Sequence, residues 1–246
     1  MKTVIVIPAR LNSTRLPLKV LLDLGGKPVI QRVYEACAKA KLHHEIWIAA
    51  DSQEVMDACK KFTDHVLMTS PEHPSGTDRI AEVIKTIECD LVINVQGDEP
   101  FFDPGIVDRL ITAMRQSDAA MASVCAPVEN LDELNNPNLV KVITDVNGYA
   151  IYFSRFAIPF SRDKEVADVS VYRKHMGIYA YRTNFLKEFI TMPVSFLEQT
   201  EKLEQLRAIE NGYKIKMIEV KSIEKGIDTP EDLELARKKL KQNGTI

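Results

Sequence analysis

The hydrophobic pattern begins with a β-branched run, TVIVI at positions 3–7, which predicts a buried strand. A polar stretch follows before apolar spacing resumes. KPVIQRVYEACAKA (27–40) has helical spacing with Pro28 near the helix start, and EIWIAA (45–50) predicts the next strand. Asp51 is placed as the N-cap of a helix over SQEVMDACKKF (52–62). HVLM (65–68), a helix over TDRIAEVIKTI (77–87) and a strand over DLVINV (90–95) continue the alternation. Strands separated by helices predict right-handed crossovers and a mostly parallel sheet covered on both faces.

From about residue 119 the texture changes. AAMASVCAPV (119–128) predicts a strand, and LDELNNPN (131–138) predicts a polar connection containing Pro137. KVITDVNGYAIYFSR (141–155) predicts a hairpin, with two β-rich runs around Asn147-Gly148. After HMGIYAY (175–181) come a helix over TNFLKEFI (183–190) and a second over EKLEQLRAIENG (201–212), closed by Gly212. KIKMIEV (214–220) returns to strand, and DTPEDLELARKKL (228–240) begins a helix with Thr229 as N-cap and Pro230 at its first position. The expectation is an α/β fold: a doubly wound, mostly parallel, Rossmann-like sheet in one domain over 1–246, with a small α+β lobe at about 130–190.

Composition narrows the picture. A chain of 246 residues, 45% hydrophobic and 27% charged, can bury a sizeable core. A net charge of −3 argues against nucleic acid or a membrane surface as partner, so any positive site must be local. The opening apolar run is too short for a signal segment and no window is long enough to span a bilayer, which gives a cytoplasmic expectation. Cys37, Cys59, Cys89 and Cys125 form no C-x-x-C pair and read as buried thiols.

In a doubly wound sheet, ligands bind at the carboxyl ends of the strands. After the first strand, IPARLNSTRLPLK (7–19) gathers Arg10, Arg15 and Lys19 with no acidic residue before Asp23. The loop lacks both the dinucleotide and the P-loop glycine patterns. Its cations, with Ser13 and Thr14, fit either a solvated loop or a cradle for phosphate. Asp98 in QGDEP (96–100) is either an ordinary turn residue or a Mg²⁺ ligand. Asp228 is either a favourable charge at a helix N-terminus or, paired with Asp98, a second ligand. Carboxylates facing a cationic loop are what a metal-triphosphate site requires.

The ordered set IPAR…STRLP.K, SGTDR, VQGDEP, YFSRFAIP, KHMGIYAY, EKLEQLR and IDTPEDL, from residue 4 to about 237, resembles the 3-deoxy-manno-octulosonate cytidylyltransferases, or CMP-Kdo synthetases. The resemblance implies a nucleotidyltransferase that joins CTP and Kdo to give CMP-Kdo and pyrophosphate with Mg²⁺, supplying activated sugar for lipopolysaccharide. It implies that Arg10, Arg15 and Lys19 hold the triphosphate and that Asp98 and Asp228 carry the metal. Ala9, Arg10, Ser13, Ser75, Thr77 and Arg79 are then placed on the nucleotide. Arg155 and His175 face the sugar acid, with Gln96, Glu204 and Gln205 suited to its hydroxyls. The lobe at 130–190 is expected to serve sugar binding and self-association, since homodimers are usual in the family.

One departure touches the cationic loop. Leu18 and Val20 stand where the family pattern has Gly and Pro, while the Arg15-to-Lys19 spacing survives. A positive φ at the family Gly would cost Leu18 sterically, so the loop is expected to take a different path. The competing readings are a related enzyme acting on sialic acid, Kdn or 8-amino-Kdo, a doubly wound oxidoreductase, and a non-catalytic nucleotide-binding module. The missing glycine fingerprint disfavours the oxidoreductase. A non-catalytic module has no need of Lys19, Asp98 and Asp228 together.

Overall fold

The computed structural model describes residues 1–13, 15–162, 168–224 and 226–242. Thr14, read with Ser13 as part of the anion loop, lies outside the described residues, as does a short stretch (163–167) of the expected lobe. The chain divides into two compact units, residues 1–108 with 224–246, and residues 109–223.

In the first unit the strands are β1 (Thr3–Ala9), β2 (Glu45–Ala50), β3 (Val66–Met68) and β4 (Leu91–Asn94). They run parallel in the order β3-β2-β1-β4. Every residue of β1 is buried, so both its faces are covered and its apolar run needs no alternation. The helices α1 (Val29–Cys37), α2 (Gln53–Cys59) and α3 (Gly76–Val83) connect these strands, and α9 (Pro230–Gln242) returns from the far end of the chain. The path goes outward from β1 to β2 and β3, then back to β4 on the other side of β1. This reversal makes the carboxyl ends of β1 and β4 the switch point, where a crevice opens.

The second unit centres on β5 (Met121–Pro127), parallel to β9 (Ile215–Glu219) and antiparallel to β8 (Arg173–Arg182). The expected hairpin is β6 (Lys141–Thr144) with β7 (Ala150–Ser154), turning through Gly148 at φ 74. The α/β reading with a mostly parallel sheet therefore stands, with the antiparallel pairing confined to the texture change seen after residue 119.

Several local expectations are corrected. Ser52, not Asp51, caps α2 by accepting from Val55 N at 3.3 Å. LDELNNPN is not merely a connection: Asn130 caps a short helix α5 (Leu131–Asn135), accepting from Glu133 N at 2.9 Å. The single helix expected over 201–212 is divided into α7 (Phe196–Glu201) and α8 (Gln205–Glu210), with Lys202 left-handed at φ 55. The break is stable because Arg155 donates to the carbonyls of Glu201 and Lys202 that the interrupted helix leaves unpaired. A helix α4 (Gly105–Gln116), absent from the sequence reading, and α6 (Thr183–Phe189) complete the elements.

Candidate active site

The loop after β1 is anchored at buried side chains, although Asn12, Arg15, Pro17 and Leu18 are exposed. Leu16 is buried in a cluster with Leu24, Val29 and Ile227 and with Leu233, Ala236 and Leu240 of α9. Val20 is buried too, while Leu18 between these anchors is exposed. Leu18 takes the left-handed conformation itself, at φ 57 and ψ 21, just before a 3-10 turn over Lys19–Leu21. The positive φ is thus present at Leu18 despite the missing glycine, contrary to the expectation that the loop would avoid it.

The loop faces a cavity of about 460 Å³ lined by Arg10, Ser13, Arg15 and Lys19 from the loop, with Ser75, Gln96, Asp98 and Asp228 opposite. These eight residues were all named from the sequence. Lys19 Nζ donates to Asp98 Oδ2 and, at 3.0 Å, to Asp228 Oδ1, while Arg15 Nη2 lies 3.0 Å from Asp228 Oδ2. Burial alone would lower the Lys19 pKa, but Asp98 and Asp228 outweigh it and hold the ammonium above its ordinary value. One ammonium is therefore shared by two carboxylates from segments far apart in the chain.

Backbone packing fixes this convergence. A Cβ added at Gly97 would lie 2.8 Å from the Pro8 carbonyl oxygen, so only glycine lets the segment after β4 approach the end of β1 this closely. Ile227 N donates to Asp98 O at 2.9 Å, tying the two carboxylate segments together. Behind Asp228, Thr229 caps α9 as expected: its Oγ1 accepts from Asp232 N at 3.2 Å, and Asp232 Oδ2 accepts from Thr229 N at 3.0 Å. Ser75 caps α3 in the same way, accepting from Asp78 N at 3.1 Å. The N-terminus of α3 thus borders the cavity, where an anion is favoured.

The remaining nucleotide candidates sit behind this wall. Ala9, Thr77 and Arg79 are buried. Arg79 Nη1 donates to Thr69 Oγ1 at 2.6 Å, and its Nη2 stands 4.0 Å from Asp51 Oδ2. Asp51 in turn accepts from Leu11 N at 2.9 Å, so the residue expected to cap α2 instead holds the cationic loop. Glu99 escaped the sequence reading. Desolvation, reinforced by Asp98 and Asp228, pushes its carboxyl up to about 8, and only the folded environment reveals this.

The sugar candidates Arg155, His175, Glu204 and Gln205 belong to the second unit. There Arg155 is engaged by the backbone: Nε donates to Glu201 O at 2.7 Å and Nη1 to Pro137 O at 3.0 Å. His175 stands between Phe153 and Tyr179, with ring centroids 5.0 and 5.5 Å away. Desolvation drives its pKa down to about 3. Tyr179 Oη donates to Gln205 Oε1 at 3.4 Å, and the phenol is pushed above its usual pKa by burial and then by Glu204. The four cysteines are free, three of them buried, and burial pushes Cys125 up to about 11 and Cys59 up to about 12. No helix among the described residues is long and apolar enough to cross a membrane.

The cytidylyltransferase family profile matches residues 4–218. A 3-deoxy-manno-octulosonate cytidylyltransferase from Geobacter sulfurreducens is 45% identical over 96% of this chain and 98% of its own length. Another of the same name from Pseudoalteromonas translucida is 46% identical over 95% of each chain. Among solved structures, a CMP:2-keto-3-deoxy-manno-octonic acid synthetase complexed with CTP is 43% identical, with a TM-score of 0.94 over 99% of this chain and all of that one. A 4-diphosphocytidyl-2C-methyl-D-erythritol synthase from Anaerococcus prevotii is 16% identical with a TM-score of 0.65 over 98% of this chain and 96% of that one, and shares the fold alone. With a parallel sheet, a cationic loop at its switch point and near-full-length relatives of one kind, the chain belongs to the cytidylyltransferase family, within the group of the 3-deoxy-manno-octulosonate cytidylyltransferases.

Proposed function

We propose that this protein activates Kdo with CTP, forming CMP-Kdo and releasing pyrophosphate. The observation that carries the reading is the convergence of Arg10, Arg15 and Lys19 on Asp98 and Asp228 in one cavity beside the N-terminus of α3. The relative complexed with CTP has the same fold over nearly the whole chain, which supports CTP as the nucleotide. In the reaction the anomeric oxygen bonds to the α-phosphorus as the bond from that phosphorus to the bridging oxygen breaks. Pyrophosphate leaves with the electron pair, and the hydroxyl proton passes to water. Such a step is catalysed mainly by positioning and charge neutralisation. Arg10 and Arg15 offer planar forks to phosphate oxygens, and Lys19 a compact charge.

Asp98 and Asp228 fit a hard divalent cation: two carboxylates from the chain, with water and phosphate oxygens filling the other positions. Among the described residues no group of three or more His, Cys, Asp or Glu side chains stands together to hold a metal ion, which leaves room for oxygens of the nucleotide and water. Bound Mg²⁺ would supply charge for the phosphates and acidify the attacking hydroxyl. We assign the sugar acid to His175, Glu204 and Gln205 of the second unit, with Arg155 supporting them through its backbone contacts. The wider reading is a cytoplasmic homodimer supplying lipopolysaccharide assembly. Exposed Ile151, Phe156, Phe160 and Val171 support self-association, which sedimentation tests.

The direct test is pyrophosphate release from CTP and Mg²⁺, with Kdo, 8-amino-Kdo and a sialic acid compared. Release with Kdo is expected, and release confined to another acid moves the substrate assignment. Lys19→Ala should lower kcat by about 10²–10³-fold while the protein stays folded by circular dichroism. Near-normal turnover in that variant removes the proposed clamp.

A further inference from the structure

β5 and β8 do not pair evenly. Ser123 faces Tyr179, yet the next residue, Val124, faces Met176, so Gly177 and Ile178 bulge out of β8. A bulge frees carbonyl oxygens from the ladder, and buried carbonyls need donors. Ser123, fully buried, lies against this bulge: its Oγ is 3.1 Å from Met176 O, 2.9 Å from Ile178 O and 2.8 Å from His175 Nε2.

A serine hydroxyl has one proton to give and lone pairs to receive with. The two carbonyls can only accept. If Ser123 gave its proton to the imidazole, both carbonyls would face its lone pairs with nothing between them. If the proton goes to the carbonyls, shared between them as a three-centre bond, Nε2 must donate to Oγ, and no contact sets lone pair against lone pair alone. Desolvation keeps the ring neutral, since its pKa is held down to about 3. A neutral imidazole with Nε2–H carries its remaining lone pair on Nδ1.

We infer that Ser123 is a positioning residue that locks His175 as the Nε2–H tautomer, so that Nδ1 accepts a hydrogen bond from a hydroxyl of the sugar acid. This rests on the assignment of the sugar to His175 made above. The consequence is chemical. An uncharged acceptor repels a carboxylate, so His175 reads the polyol part of the substrate, and the acid group must be met by other residues.

The test begins with the unmodified protein and no substrate. Long-range ¹H–¹⁵N correlation spectra of the imidazoles at neutral pH separate the two tautomers. The His175 signal among the five histidines is identified by its loss in His175→Asn. Protonated Nε2 with bare Nδ1 is expected, and protonated Nδ1 overturns the tautomer. Ser123→Ala should then give a mixture of tautomers and raise KM for Kdo about 3- to 10-fold, with KM for CTP unchanged. An Nε2–H tautomer with an unaltered KM for Kdo in that variant overturns the role in substrate binding. Failure of the underlying reading looks different: the unmodified enzyme would release no pyrophosphate with Kdo, whatever the spectrum shows.

Discussion

Leu18 holds a left-handed backbone, at φ 57, that costs an L-residue about 1–2 kcal/mol, and it does so one residue before the lysine that joins the two carboxylates. Glycine would relieve the steric term but add roughly 0.5–1 kcal/mol of unfolded-state entropy. Leu18→Gly should therefore leave stability unchanged or raise it by up to about 1.5 kcal/mol, whereas Leu18→Val, branched at Cβ, should lower it. Urea midpoints of the two variants check the order. His175 gives a pH signature of its own. Its folded pKa of about 3 lies below the ordinary value of 6.5, so between these values the unfolded chain binds more protons. Its contribution to stability is complete above about pH 6.5 and is lost as pH falls toward 3, with a slope of at most about 1.4 kcal/mol per pH unit. Replacing it, as in His175→Gln, should flatten that part of the urea-stability profile. An unchanged slope would mean the ring titrates freely in the folded state.

Connections between elements place the cationic loop. The end of β2 supplies Asp51, which accepts from Leu11 N and faces buried Arg79 of α3. Ser52 can take over the cap of α2 because it stands next in the chain with an equally good oxygen. Three elements thereby meet at one carboxylate. Asp51→Ala leaves the Leu11 amide without its acceptor and the Arg79 guanidinium without its counter-charge, so a loss of about 2–3 kcal/mol is expected. KM for CTP should rise more than kcat falls. Asp51→Asn keeps an acceptor but not the charge and should lie between. Equal kinetics in all three proteins would show that the loop holds its place without β2.

For the molecule as a whole, a net charge of −3 coexists with a local cluster of cations, because Arg10, Arg15 and Lys19 line one cavity. Ligand binding there should register as global stability. CTP with Mg²⁺ at 100 times its Kd should add about 2.7 kcal/mol to unfolding. A chelator should remove most of that gain if Asp98 and Asp228 carry the metal. A gain that survives chelation would leave Lys19 and the arginines as the whole of the triphosphate site.

The sequence by itself determined the features whose causes are local. Apolar runs marked β1, β2 and β4, Thr229-Pro230 marked the start of α9, and Asn147-Gly148 marked the hairpin. The cations of the first loop and the two aspartates were legible because their residue types and order carry the chemistry. Helix α4 was legible as well, through its buried Ile106, Leu110 and Met114 at four-residue spacing, but went unread. Only the tertiary structure decided that Lys19 is shared by Asp98 and Asp228, that Asp51 serves the loop instead of α2, and that Arg155 braces the break between α7 and α8. It alone decided the shifted pKa values of Glu99 and His175. Those outcomes depend on which distant groups packing brings within hydrogen-bond reach and on how much water it removes, and neither is encoded in the spacing of residues along the chain.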